Sequence, residues 1–102
     1  MKQFNKLVRD KIPQIIEQSG GTPCIRILSD QEYFDALEAK LDEEIGEYHR
    51  DKTVEELADI LEVVYALAAT SGCSREQLEQ VYFEKHRERG GFDRKIYLIY
   101  TE

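Results

Sequence analysis

Apolar residues recur through the middle of the chain with the three- and four-residue spacing of an α-helix. Between residues 30 and 52 the spacings are 3, 4, 4 and 3, which draws one stripe along a helix: Phe34, Leu37, Leu41, Ile45 and Tyr48. Ser29-x-x-Glu32 predicts a capping box at its start. A second helix follows from Leu57 to about Ser71, and from Ile60 to Ala69 it is apolar on almost every side. It is predicted to be the central, buried helix and part of a subunit interface.

Two further helices are predicted outside this pair. The earlier one is capped by Asp10, carries Pro13 in its first turn and stops at Gly20. The later one begins at a capping box opened by Ser74 and ends at Gly90. Its inward face is predicted to consist of Leu78, Val81 and Tyr82.

Two short segments, residues 24–28 and 95–100, have the β-branched and aromatic content of strands. They are predicted to pair as a ribbon, which needs helices packed on it to be stable. The predicted fold is therefore mainly α, a bundle of about four helices with a small two-stranded β appendage. The 102 residues suit a single domain, 1–102, that association with other copies would help to stabilise.

Charge is distributed unevenly along the chain. Residues 38–62 contain ten acidic and three basic side chains, and this window carries the entire net charge of −7. Such a balance argues against nucleic acid as a partner, because binding a phosphate backbone needs clustered Lys and Arg. Cys24 and Cys73 form no close pair, and no apolar run reaches the roughly 20 residues of a membrane span. A cytoplasmic protein without a membrane partner is expected.

Four carboxylates within the acidic window have a spacing that brings them together. Glu44 and Glu47 are i, i+3 neighbours on one helix, and so are Glu56 and Asp59 on the next. The connection between the two helices is short, so the helices are expected to lie antiparallel with both pairs facing each other. Buried carboxylates repel one another unless a cation compensates, and oxygen ligands suit Mg²⁺ or Mn²⁺.

A simpler interpretation of the same residues is available. Acidic residues on helices usually face solvent, and Glu56 has an independent explanation as the last residue of a capping box opened by Thr53. Gly46 favours the metal site, because a glycine inside a helix costs about 1 kcal/mol relative to alanine. We interpret it as a sign that a neighbour or a ligand approaches closely there.

The acidic motif resembles the all-α nucleoside-triphosphate pyrophosphohydrolases of the MazG and phosphoribosyl-ATP pyrophosphohydrolase type. Their signature, EExxE followed by ExxD, is similar to EEIGE at 43–47 and ELAD at 56–59. Small stand-alone phosphoribosyl-ATP pyrophosphohydrolase-like proteins are similar to this chain almost end to end. The similarity comprises four motifs in order: KLVRDKIP at 6–13, KLDEEIGE at 40–47, EELADILEVVYAL at 55–67 and RGGF at 89–92. Only eight residues separate the two half-motifs, fewer than in many relatives.

The resemblance implies a role for each matching residue. It implies Mg²⁺ ligation by Glu44, Glu47, Glu56 and Asp59, and Glu43 as the group that orients or deprotonates the attacking water. Phosphates also need cations, and the candidates for substrate binding are Lys6, Arg9, Lys11, Lys40 and Arg89.

The expected function is a Mg²⁺-dependent pyrophosphohydrolase that cleaves a nucleoside triphosphate-type substrate into a monophosphate and pyrophosphate. The substrate would be a surplus or non-canonical nucleotide or a phosphoribosyl-ATP-like compound, and the enzyme a homodimer or a larger homo-oligomer. One alternative is a non-catalytic nucleotide- or metal-binding regulatory module with the same bundle. A second alternative is a helical interaction protein with an acidic patch.

Overall fold

A computed structural model of a single chain describes residues 2–102 and is built from four helices. Helix α1 spans Ile12–Gln18, α2 spans Asp30–Asp51, α3 spans Val54–Thr70 and α4 spans Arg75–Arg89. This order confirms the mainly α fold that was predicted from the apolar spacing. In the described part of the chain no single helix is long and apolar enough to cross a membrane. Helices α3 and α4 meet that test only as a pair, and the pair is bent by 106°.

The starts of the helices follow the capping signals of the sequence. The hydroxyl of Ser29 accepts a hydrogen bond from the backbone N–H of Glu32, and the Glu32 carboxylate accepts one from the N–H of Ser29. Ser74 and Gln77 form the same reciprocal pair at α4. Helix α1 differs from the prediction, because Lys11 and not Asp10 occupies the N-cap and no side chain caps it.

Helices α2 and α3 form an antiparallel hairpin that carries the small core of the chain. Lys52 closes α2 in the left-handed conformation, with φ 53°, and Thr53 caps α3 directly afterwards. The connection is therefore as short as the sequence predicted. Leu37 of α2 and Val63 of α3 are the buried apolar residues between them.

The predicted β appendage is wrong: the described residues 2–102 contain no strand. Residues 24–28 and 95–100 belong to no regular element, Lys95 has a left-handed φ of 60°, and no backbone hydrogen bond links the two segments in the described chain. The physical reason is that a two-stranded ribbon needs a covering layer. Among the described helices α4 contacts only α3, and the apolar side chains Ile25, Ile27 and those of residues 96–100 are exposed, so one chain supplies no such layer.

The inward face predicted for α4 is also wrong within one chain. Val81 and Tyr82 are exposed, and only Leu78 is half-buried. The central helix α3 likewise leaves Leu57 and Leu61 half-exposed, although it was predicted to be buried on several sides. The chain is elongated as a result, with extents of 61 × 32 × 23 Å. Its radius of gyration is 17.9 Å, whereas a compact domain of this length has about 13 Å.

Candidate metal centre

Four carboxylates converge where α2 ends and α3 begins. Glu44, Glu47, Glu56 and Asp59 each offer one oxygen, and these oxygens all lie within 4.8 Å of one another. Two independent features of the sequence produce this convergence. The i, i+3 spacing places each pair on one side of its helix, and the short connection after Asp51 sets the two pairs face to face.

The cluster is partly shielded from solvent, and two of its oxygens lack partners. Glu44 is only 6% exposed, whereas the other three carboxylates are half-buried. Among the described residues, Oε2 of Glu44 and Oε2 of Glu56 are buried without any hydrogen-bond partner. A buried carboxylate oxygen without a donor is unfavourable by about 1–3 kcal/mol or more. These two oxygens therefore mark a place where a positive group would be stabilised.

Burial and mutual repulsion both act on the ionisation of the cluster. Burial raises the pKa of Glu44, and the adjacent Glu47 raises it further, whereas Lys40 opposes the shift. Burial also raises the pKa of Glu56, and so does the negative charge of Glu47, Asp59, Asp51 and Glu44. The site therefore disfavours its own negative charge in the absence of a cation.

The geometry of Glu56 argues against the simpler capping interpretation. Its backbone N–H donates to the Thr53 hydroxyl over 3.3 Å, which caps α3. The carboxylate of Glu56 does not complete the predicted capping box, because no bond from the Thr53 N–H to it occurs among the described residues. Its side chain belongs to the carboxylate cluster instead. The cap thus depends on the backbone of Glu56 and leaves its carboxylate free for another role.

Two lysines hold Glu43, the remaining acidic residue of the motif. Lys6 approaches Oε1 of Glu43 to 3.5 Å, and Lys40 approaches Oε2 to 3.4 Å. Lys40 also lies 3.3 Å from Oε1 of Glu44, so it bridges Glu43 and the cluster. The structure therefore brings Lys6 and Lys40 to the edge of the cluster, together with Glu43.

Arg9 reaches the opposite helix of the hairpin. One of its guanidinium nitrogens lies 2.6 Å from Oδ1 of Asp59, and another lies 3.4 Å from Oε1 of Glu62. The segment before α1 therefore supplies a positive charge to each side of the cluster. The role of Glu62 was not predicted from the sequence. Its partner is 53 positions earlier in the chain, and nothing in local spacing indicates such a contact.

The other two predicted substrate-binding residues lie elsewhere. Lys11 occupies the N-cap of α1 and forms no ion pair among the described residues. Arg89 is the last residue of α4, which starts beyond the end of α3 opposite to the cluster. Helix α4 is bent by 106° relative to α3 and contacts no other helix in the described chain, and its 15 residues place Arg89 on the order of 20 Å from the turn between α3 and α4. One chain does not bring Arg89 to the carboxylates.

The interpretation of Gly46 is not supported within the chain. Apart from the two adjacent residues and the backbone of its own helix, no heavy atom of the described chain lies within 4 Å of the position that a Cβ atom would take there. The glycine is therefore not required by a close neighbour in the part of the chain that the structure describes.

The donor set fits a hard divalent cation. All four ligands are carboxylate oxygens, and Mg²⁺ binds oxygens at about 2.0–2.1 Å, so opposite ligands stand about 4.2 Å apart. Oxygens that all lie within 4.8 Å of one another are close to the spacing that one such ion would need. A cation would also supply the partner that the two orphaned oxygens lack.

No family model and no solved structure matches this chain. A curated protein from Mycolicibacterium smegmatis, described only as an uncharacterized protein, is 64% identical over 42 residues. That match covers 41% of this chain and 43% of the relative, so the chain spans less than half of the relative's length. The resemblance to the pyrophosphohydrolases is not tested by these comparisons and stays a prediction.

Proposed function

We propose that the chain is a Mg²⁺-dependent pyrophosphohydrolase acting on a nucleoside triphosphate-type substrate, with a monophosphate and pyrophosphate as products. The observation that supports this most strongly is the pair of orphaned oxygens, on Glu44 and Glu56, in a cluster of four carboxylates. An acidic patch that only interacts with water would expose these oxygens. Mn²⁺ would be accepted by the same oxygen ligands.

The proposed site has positive side chains beside the carboxylate cluster, and a metal-bound phosphate chain would need both kinds of group. Glu44, Glu47, Glu56 and Asp59 would hold the cation. A bound Mg²⁺ would neutralise charge on the phosphate oxygens and lower the pKa of a bound water. Lys6, Lys40 and Arg9 stand around the cluster, where charge-assisted hydrogen bonds to phosphate oxygens would form.

The ion pairs of Glu43 suggest how its carboxylate would become free to act as the general base. Each of its oxygens is paired with a lysine in the structure. Substrate phosphates would attract Lys6 and Lys40 and so release the Glu43 carboxylate. The released carboxylate would accept a proton from the attacking water, whose oxygen forms the new bond to phosphorus as pyrophosphate leaves. Glu43 would thus act only after the substrate has bound.

Release of pyrophosphate from a panel of canonical and modified nucleoside triphosphates, with Mg²⁺, tests the proposal. The substitutions Glu47→Gln and Asp59→Asn should abolish turnover without altering the helical circular dichroism spectrum. The matched controls Glu38→Gln and Asp35→Asn change exposed residues of α2 and should retain turnover. Full activity in both cluster variants would refute the assignment of ligands. Saturable nucleotide binding without turnover in the wild-type chain would favour the non-catalytic regulatory module.

A further inference from the structure

The chain exposes far more surface than a compact monomer of its mass. Its accessible area is 9320 Å², whereas a folded monomer of 11.9 kDa has about 5,900 Å². The excess is therefore about 3,400 Å², and a stable protein–protein interface needs only about 800 Å² from each partner. The chain thus has enough uncovered surface for an extensive interface with another molecule.

Much of this surface belongs to a segment that we call the arm, residues 92–100. Six of its nine residues are large and apolar, and they are 71% to 96% exposed: Phe92, Ile96, Tyr97, Leu98, Ile99 and Tyr100. The backbone of residues 96–100 belongs to no helix or strand and forms no backbone hydrogen bond in the described chain. Its N–H and C=O groups and its apolar side chains are therefore available to the same partner.

A second uncovered apolar feature lies on α3. Val54, Leu57 and Leu61 follow one another at helical spacing and are 77%, 47% and 47% exposed. We call these three residues the ridge. Helix α4 starts beyond the opposite end of α3 and leaves the ridge uncovered. Contiguous apolar surface of this kind usually marks an interaction site.

The arm and the ridge are also complementary in charge. The stretch that leads into the arm, residues 85–95, contains five basic and two acidic side chains. The ridge is flanked by the exposed carboxylate of Glu55 and by Glu62, whose Oε1 also pairs with Arg9, within the window that carries the entire negative net charge. Opposite charges around two apolar surfaces favour their association with each other over association of like with like.

We propose that the arm of one copy docks on the ridge of a second copy, and that two copies exchange arms in this way. An exchange of identical contacts is the closed, two-fold arrangement that homodimers favour. It would cover the arm and the ridge together and use the excess surface of both copies. The docking does not depend on the proposed hydrolase activity, because neither surface contains a residue of the carboxylate cluster.

Sedimentation equilibrium measures the association directly. The full chain is expected to form a dimer or a larger assembly of 11.9 kDa units. A variant that ends at Gly91, and the double variant Tyr97→Ser with Ile99→Ser, should raise the dissociation constant roughly tenfold or more. Ile27→Ser is the matched control, since Ile27 is as exposed as the arm residues but lies outside arm and ridge. It should leave the dissociation constant unchanged.

Mixing two defective variants tests the pairing itself. The chain that ends at Gly91 lacks the arm, and Leu61→Ser damages the ridge, so neither should associate well with itself. In a mixture, the Leu61→Ser variant supplies an intact arm and the shortened chain supplies an intact ridge. When one of the two variants carries an affinity tag, it should therefore retain the other variant. Circular dichroism checks that both variants are folded.

Three results would overturn the proposal. The full chain could remain monomeric at about 100 µM, well above the micromolar or lower dissociation constants of standard-size interfaces. The mixture of the two variants could fail to associate. Ile27→Ser could weaken the assembly as much as the arm variants, which would mean that apolar exposure in general drives association.

Discussion

Replacing Glu44 with glutamine tests the electrostatics of the carboxylate cluster with the smallest possible change. Glutamine has the volume of glutamate but carries no charge, and its amide N–H₂ can donate to a neighbouring carboxylate oxygen. The orphaned Oε2 of Glu56 belongs to the same cluster and lacks a donor. We therefore expect Glu44→Gln to stabilise the chain when no divalent cation is present.

The size of this effect follows from two opposing contributions. A buried oxygen without a partner is unfavourable by about 1–3 kcal/mol. The ion pair of Glu44 with Lys40, at 3.3 Å, is lost in the variant and is worth about 0–1 kcal/mol. The net gain is about 1 kcal/mol in free energy of unfolding, which raises Tm by about 4–8 °C in a domain of this size.

Mg²⁺ should reverse the order of the melting temperatures of the wild-type chain and the Glu44→Gln variant. At a concentration about 100 times the dissociation constant, a cation that binds only the folded state adds about 2.7 kcal/mol, or roughly 10–20 °C in Tm. If the loss of one ligand weakens binding about a hundredfold, the same concentration adds about 0.4 kcal/mol to the variant. The wild-type chain should then melt above Glu44→Gln.

Differential scanning fluorimetry in EDTA and in a Mg²⁺ series measures both effects. Glu38→Gln is the control, because it makes the same change at an exposed residue of the same helix. The Tm of this control should equal the Tm of the wild-type chain at every Mg²⁺ concentration. A lower Tm for Glu44→Gln in EDTA would refute the electrostatic reasoning, and an unchanged Mg²⁺ response would refute its role as a ligand.

Three further outcomes are expected. Burial and neighbouring carboxylates raise the pKa values of Glu44 and Glu56 on folding, so below the raised values the metal-free folded chain binds more protons and its stability rises as pH falls. Protons then compete with Mg²⁺ for the same oxygens, and the Tm gained from Mg²⁺ should shrink as the pH is lowered from neutral toward the ordinary glutamate pKa of 4.5. A gain that does not shrink would contradict this. Gly46→Ala should raise the free energy of unfolding by about 0.5–1 kcal/mol in urea titrations, because the added Cβ atom has no close neighbour outside its own helix. A loss of stability would instead indicate a neighbour outside the described chain. Arg9→Gln should raise the KM for nucleotide by roughly 10-fold or more while the Mg²⁺-induced Tm rise persists, and loss of that rise would show that Arg9 maintains the metal site instead.

The parts of the structure that the sequence predicted correctly depend on neighbours close in the chain. The capping boxes at Ser29 and Ser74 need only the next three residues. The carboxylate cluster needs i, i+3 pairs and a short connection, both of which are visible in the sequence. Local spacing was therefore sufficient to place the cluster.

The parts that the sequence did not predict depend on partners far away or outside the chain. Val81 and Tyr82 have a helical apolar pattern, but the pattern does not say whether the covering surface belongs to the same copy. Residues 95–100 have strand-like composition, yet without a covering layer they form no strand in the described chain. The contacts of Arg9 could not be inferred from spacing either, because they join segments about 50 residues apart.

Hydrolysis in ¹⁸O-labelled water tests the central claim most directly, because it identifies both the reaction and the bond that breaks. The wild-type chain, Mg²⁺ and a nucleoside triphosphate panel are incubated, and the products are analysed by ³¹P NMR and mass spectrometry. A monophosphate that carries one labelled oxygen, together with unlabelled pyrophosphate, is expected from at least one nucleotide. Release of inorganic phosphate alone, or no Mg²⁺-dependent product from any nucleotide, would contradict it.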